Sequence, residues 1–130
     1  MKKIMLLLIS VFVLASCGKT SYSKRGSYII KNGNIELKDQ VILGEYNYFD
    51  GYYTLIFSLE GSYELNFISN DNRVKAYIDS DSGIEIAVLD EVNNKAEIND
   101  YDGKVYVKFQ ADESKDGFKL EINEKGWGNE

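Results

Sequence analysis

From Tyr28 to Ile122, apolar and polar residues alternate with a period of two, and this rhythm restricts the fold more than any other feature of the chain. Tyr53, Leu55 and Phe57 fall on one side of their segment. Tyr63, Leu65 and Phe67 do the same, opposed by Glu64 and Asn66. The pattern returns in Val74, Ala76 and Ile78, and again in Ile84, Ile86 and Val88. Val105, Val107 and Phe109 alternate with Lys104, Tyr106 and Lys108, and Phe118, Leu120 and Ile122 with Lys119 and Glu121. Successive side chains of a strand point to opposite faces, so each set predicts one buried face and one wet one. A helix needs apolar residues three and four apart. Only residues 86–96 offer that spacing, through Ile86, Leu89 and Val92, and Asp90 and the Asn93-Asn94 pair break it, so a strand is assigned there.

Strands are expected to begin near residues 52, 62, 73, 84, 95, 104 and 117, with glycines 33, 51, 61, 83, 103 and 117 at the turns. Steps of about ten residues between turn signals belong to sandwiches and barrels. Asn32-Gly33 between two alternating runs reads as a two-residue hairpin, and Leu59-Glu60-Gly61 as the turn of another. With no proline and no change of composition along the way, residues 27–124 are expected to be one domain. The expected fold is all-β: a small, jelly-roll-like antiparallel β-sandwich of about eight strands. Residues 125–130, with Trp127 between glycines, form a tail.

The first residues carry a different message. Met1, Lys2 and Lys3 precede an apolar run from Ile4 to Ala15, the layout of an export signal. The run is shorter than the roughly 20 residues that span a bilayer. Leu14-Ala15-Ser16-Cys17 then resembles the lipobox of bacterial lipoproteins: aliphatic, small, small, cysteine. That resemblance implies a signal peptide over 1–16, diacylglycerol on the Cys17 sulfur, and cleavage between Ser16 and Cys17. A single acyl chain holds a protein on a membrane only reversibly, whereas two hold it firmly. Residues 17–26 are polar after the cysteine and read as a tether. The expected location is extracytoplasmic and membrane-anchored, on the cell surface or facing the periplasm. In a two-membrane bacterium the same resemblance implies inner-membrane retention where Asp follows the cysteine; Gly18 stands there instead and leaves the outer membrane open.

What the chain lacks narrows its chemistry. Cys17 is the single cysteine and there is no histidine. Once lipid occupies Cys17, no disulfide can form, and His/Cys zinc sites, Cys–His pairs and Ser-His-Asp triads are excluded. The formal net charge is −6 and becomes more negative when Lys2 and Lys3 leave with the signal. An acidic chain is not expected to bind nucleic acid. Carboxylate pairs of the kind used by glycosidases arise by chance in a chain this acidic and carry no signal.

Two groups of side chains remain as candidates. Tyr46, Tyr48, Phe49, Tyr52 and Tyr53 are close in sequence; aromatic faces stack on sugars or fill a partner's pocket, or else pack in the core. Tyr46, Tyr48 and Tyr52 are the expected binding residues, Tyr53 being assigned inside. Asp79-Ser80-Asp81-Ser82-Gly83 has the alternation that could aim Asp79 and Asp81 at calcium, but it lacks the third early ligand and the distal glutamate of an EF-hand, so no metal or other cofactor is assigned.

From about Gly44 to Ile122 the order of signals also resembles the bacterial pre-peptidase C-terminal domain, a small jelly-roll-like sandwich. The matching pieces are Asp50 to Leu55 (DGYYTL), Gly61 to Leu65 (GSYEL), Val74 to Ile78 (VKAYI) leading into Asp79–Gly83, Asp102 to Val107 (DGKVYV) and Gly117 to Ile122 (GFKLEI). That domain usually hangs behind a protease, and none is present here, so the resemblance implies a fold and no protease role. The functional expectation is a non-catalytic binding or structural module whose partner is a protein or a glycan. The alternatives are a small inhibitor of a hydrolase and, behind it, a metal-dependent enzyme.

Overall fold

The computed structural model describes residues 23–125. Eight strands follow one another: β1 (Ser23–Lys31), β2 (Asn34–Lys38), β3 (Val41–Glu45), β4 (Tyr48–Ser69), β5 (Val74–Ser80), β6 (Glu85–Leu89), β7 (Lys95–Ser114) and β8 (Phe118–Glu124). All pairings are antiparallel, in the order β2-β3-β8-β4-β7-β5-β6, with β1 added on β4. The all-β expectation and the eight-stranded antiparallel sandwich hold.

β4 and β7 are the hinge of the architecture, at 22 and 20 residues. The first half of β4 pairs with β1, and its second half pairs with β8. β7 follows β4 along both halves, and its second half also pairs with β5. The single sheet therefore makes two layers: β1, first-half β4, second-half β7, β5 and β6 in one; β2, β3, β8, second-half β4 and first-half β7 in the other. The register slips between Gly61 and Tyr63, where the ladder bends from one layer to the next. Bulges of this kind increase local bend and twist.

The core fills the space between the layers. Phe109 of β7 stacks on Phe118 of β8 at 4.4 Å between ring centroids, and Phe67 of β4 lies 5.7 Å from Phe118. Tyr53, deep in the first layer, donates its hydroxyl proton to the Ile35 carbonyl of β2 in the second, at 2.9 Å. A buried hydroxyl placed this way keeps its hydrogen bond while its ring adds apolar area.

Several turns differ from expectation. Leu59-Glu60-Gly61 is a bend within β4, not a hairpin, and the strands expected at 95 and 104 are one strand, β7. The alternation hides this because the odd-numbered residues of β4 face inward on both sides of the bend. Asn32-Gly33 does not join paired strands: β1 pairs with β4 and β2 with β3. It is the crossover between layers, and a Cβ on Gly33 would sit 1.7 Å from the Glu45 carbonyl oxygen. The two-residue hairpin lies instead at Asp39-Gln40, joining β2 to β3, with φ of 52° and 66°. β1 begins at Ser23, inside the stretch assigned to the tether, because β4 offers it a backbone edge that needs no apolar pattern. The export signal, Cys17 and Trp127 lie outside the described residues.

Candidate functional site

The two outer faces of the sandwich differ in chemistry. On the first layer, the register aligns Arg25, Thr54, Lys108 and Tyr77 in one row across β1, β4, β7 and β5. The adjacent rows hold Ile56, Tyr106 and Asp79 on one side, and Ser27, Tyr52, Gln110 and Lys75 on the other. Tyr48, paired with Lys31, extends the same face. On the second layer the outward positions include Glu36, Glu45, Glu64, Glu97 and Glu121, with Lys38, Lys95 and Lys119, and no tyrosine among the described residues. Outward tyrosine is thus gathered on one side of an acidic protein.

The tyrosine face is locally organised. The Lys108 ammonium lies 5.2 Å from the Tyr77 ring centre and 5.9 Å from that of Tyr52. The Arg25 guanidinium is 6.0 Å from the Tyr106 ring, and the Lys31 ammonium 5.0 Å from Tyr48. Each such contact contributes about 0.5–1 kcal/mol at an exposed site. The long side chains cover Thr54 and Ile56, which are buried although they point outward. Two depressions flank Tyr77 and Lys108. The first, about 280 Å³, is lined by Arg25, Thr54, Tyr106, Lys108, the Asp79-Ser80 end of β5, and Asp81 and Gly83 of the turn after it. The second, about 460 Å³, is lined by Tyr77, Lys75, Arg73, Asn72, Gln110 and Asp112, with Ala111. The first falls just short of the roughly 300–1,000 Å³ of clefts that enclose a whole ligand and the second lies at the low end of that range, and both open widely to solvent.

Of the expected binding residues, Tyr52 is 42% exposed and Tyr48 partly exposed, both on this face. Partial desolvation first, then the charges of Asp50, Glu113 and Asp112, raise the Tyr48 hydroxyl's pKa. Tyr46 is a correction. It is 7% exposed, packs edge-on against Phe49 and Phe118, and shares a 2.9 Å hydrogen bond with Ser114. Burial pushes its pKa up to about 12, the Ser114 bond working against the rise and the Asp71 and Asp116 charges adding to it. Tyr46 is a core residue and does not share a strand face with Tyr48, because the chain between β3 and β4 leaves the regular ladder.

Behind Tyr46 runs a polar network. The Ser114 hydroxyl donates to Asp71 Oδ2 at 2.7 Å, and the backbone N–H groups of Arg73, Lys115 and Asp116 also donate to that carboxylate. Desolvation pushes the Asp71 carboxyl up, but the bonds from Ser114 and the three N–H groups outweigh it and hold its pKa below the usual value. The network ties the ends of β4, β5, β7 and β8 together, with Ser114 buried and Asp71 partly exposed at its edge.

The acidic loop uses its serines as turn residues. Ser80 Oγ accepts the Ile84 N–H and shares a hydrogen bond with Ser82, while the Asp81 N–H donates to the Tyr101 hydroxyl. Among the described residues, no group of three His, Cys, Asp or Glu side chains is placed to hold a metal ion. Asp79 and Asp81 instead border the first depression. Sequence reasoning did not single out Tyr77, Tyr106, Lys108 or Arg25. The first three were legible as wet-face positions of alternating strands, and only the register across four strands makes them neighbours.

No family model matches the chain, and no curated protein matches it. Among solved structures it is similar to a low-affinity xylan-binding module, CBM86, from the gut symbiont Roseburia intestinalis, at 10% identity and a TM-score of 0.40, over 78% of this chain and 91% of that one. It is similar to the enzymatically active domain of tailspike protein 4 from bacteriophage CBA120, at 9% identity and a TM-score of 0.42, over 79% of this chain and 18% of that one. It is also similar to TmCBM61 in complex with β-1,4-galactotriose, at 12% identity and a TM-score of 0.30, over 85% of this chain and 89% of that one. Overlaps of this size carry no argument about this chain, and its function has to be read from its own side chains.

Proposed function

We propose that this protein is a lipid-anchored, extracytoplasmic, non-catalytic module that holds a glycan against the outer face of its first layer. One observation carries the reading: Tyr48, Tyr52, Tyr77 and Tyr106 share a single solvent-facing surface, with no counterpart on the opposite face among the described residues. Tyrosine offers a sugar both an apolar ring edge and a hydroxyl, and it loses little conformational freedom on binding. The shallow depressions suit contact along a chain better than enclosure of a small molecule. The absence of histidine and of a spare thiol removes the commonest nucleophile and acid–base sets. Anchoring rests on the Leu14-Ala15-Ser16-Cys17 pattern.

The test is affinity electrophoresis of the detergent-purified protein through gels containing single polysaccharides. At least one polysaccharide should retard it, and Tyr77→Ala and Tyr52→Ala should each weaken that retardation. Free migration through every polysaccharide would overturn the glycan reading. For the anchor, labelled palmitate should enter the wild-type protein and not Cys17→Ser; equal labelling would remove it.

A further inference from the structure

We infer that the ligand of the tyrosine face is an acidic polysaccharide, and that Lys108 and Arg25 are the residues that read its charge. The inference rests on the glycan reading above and specifies the substrate class. Its basis is where the cations sit. A neutral sugar stacks its C–H face on an open aromatic ring. Here the Lys108 ammonium lies over the Tyr52 and Tyr77 rings, and the Arg25 guanidinium over Tyr106. A neutral sugar would have to displace these cations from the rings, whereas a uronate or sulfate would meet them in place.

The cations are also available. Among the described residues the ion pairs are Lys119–Glu121 and Lys125–Glu97, both on the second layer's side. Neither Lys108 nor Arg25 is in an ion pair there. Each depression beside Tyr77 carries its own positive charges, Arg25 and Lys108 in one, Arg73 and Lys75 in the other. Carboxylates border them too: Asp79 and Asp81 in the first, Asp112 in the second. Those acids lie at the rims, on the β5 end and its turn and at the far end of β7, while Lys108 occupies the centre of the face. The arrangement favours a chain whose charges repeat along its length, crossing β1, β4, β7 and β5 with one anion near Lys108 and others near Arg25 and Lys75. Charged contacts of this kind set specificity and association rate more than raw affinity, and salt screens them.

The chain's charge argues in the same direction. A protein with a formal net charge of −6 repels polyanions in general, so binding one requires a local positive site. That site is confined to the middle of the face, where Arg25 and Lys108 lie in one row, while Asp50, Asp79, Asp81, Asp90, Asp112 and Glu113 stand around its margin. On the second layer Lys119 and Lys125 are each held in an ion pair.

The experiment compares polygalacturonate with its fully methyl-esterified form, which keeps the backbone and removes the charge, using the detergent-purified full-length protein. Alginate, heparin, neutral xylan and galactan, and random-sequence duplex DNA complete the panel. At least one acidic polysaccharide should bind ten-fold or more tighter than its neutral counterpart, with the advantage shrinking as salt rises. Lys108→Met and Arg25→Met should each remove most of that advantage, while Lys119→Met, on the opposite face, should leave it intact. Thermal midpoints of all three variants separate lost binding from lost folding. Binding to neutral xylan or galactan with no preference for charge would overturn the inference and leave the glycan reading standing. Failure with every polysaccharide would overturn both. Equal binding to DNA, or a charge preference untouched by Lys108→Met and Arg25→Met, would also overturn it.

Discussion

Tyr46, Ser114 and Asp71 form a hydrogen-bonded chain whose links can be separated. The Ser114 hydroxyl has one proton and gives it to Asp71 Oδ2 at 2.7 Å, so it receives the Tyr46 proton at 2.9 Å. Ser114→Ala leaves the buried Tyr46 hydroxyl without an acceptor, at a cost of about 1–3 kcal/mol. It also takes one donor from Asp71, which keeps three backbone donors and some contact with water, so that loss lies near the low end of about 1.5–3 kcal/mol. Together the expected cost is about 3 kcal/mol. Tyr46→Phe alone removes a single net hydrogen bond worth about 1 kcal/mol. The double variant has no orphaned hydroxyl and should cost only about 2 kcal/mol, less than Ser114→Ala by itself. The expected coupling is therefore about 2 kcal/mol. Urea unfolding followed by circular dichroism on the four proteins closes the cycle. Additive costs, with the double variant near 4 kcal/mol to within about 0.5 kcal/mol, would refute the proton assignment and the buried role of Tyr46.

Three further outcomes follow from the same geometry. Gly33→Ala drives a methyl into the Glu45 carbonyl and should cost about 3 kcal/mol in urea unfolding, whereas Gly83→Ala, with open space but φ of 87°, should cost about 1–2 kcal/mol; equal costs would contradict the close approach. Phe109→Ala removes the ring stacked on Phe118 between the layers and should cost about 3–5 kcal/mol, measured the same way; a loss below about 1 kcal/mol would contradict the placement of the core. Asp71 and Asp90 have carboxyl pKa values lowered in the folded state, Asp90 by the N–H groups of Asn93 and Val92. Their contribution is complete above the unfolded value of 3.8 and is lost as pH falls through the lower folded values, so the urea midpoint should drop below about pH 4. Asp71→Asn should flatten that acid limb, and an unchanged limb would count against the network.

The sequence displayed the strands clearly because alternation is a local property. Tyr53, Leu55, Phe57, Val105, Val107, Phe109, Phe118, Leu120 and Ile122 all lie where the period of two puts them. It did not display which strands pair. Gly61 looks like a hairpin turn locally, yet Tyr63, Leu65 and Phe67 continue the same strand into another layer, and only their partners on β7 and β8 reveal it. Asn32-Gly33 has hairpin residues because the chain must turn tightly past Glu45, not because its flanks pair. Tyr46 misled for a related reason: it lies off the ladder, and its partner Ser114 is 68 residues away. The tyrosine face was half legible. Tyr48 and Tyr52 fall in a dense aromatic stretch, whereas Tyr77 and Tyr106 are isolated in sequence and meet Lys108 through the register. Arg25 sits in a stretch with no apolar pattern, in a strand held to β4 by its backbone ladder and, further along, by Tyr28 against Tyr53.

The central claim is that ligand lies on the outer face of the first layer. The most direct measurement is nuclear magnetic resonance of protein carrying carbon-13 tyrosine rings, titrated with an oligogalacturonide. Ring signals of Tyr48, Tyr52, Tyr77 and Tyr106 should move together and saturate, while those of the core residues Tyr46, Tyr53 and Tyr63 stay in place. Saturable binding that leaves those four rings unmoved would contradict the account.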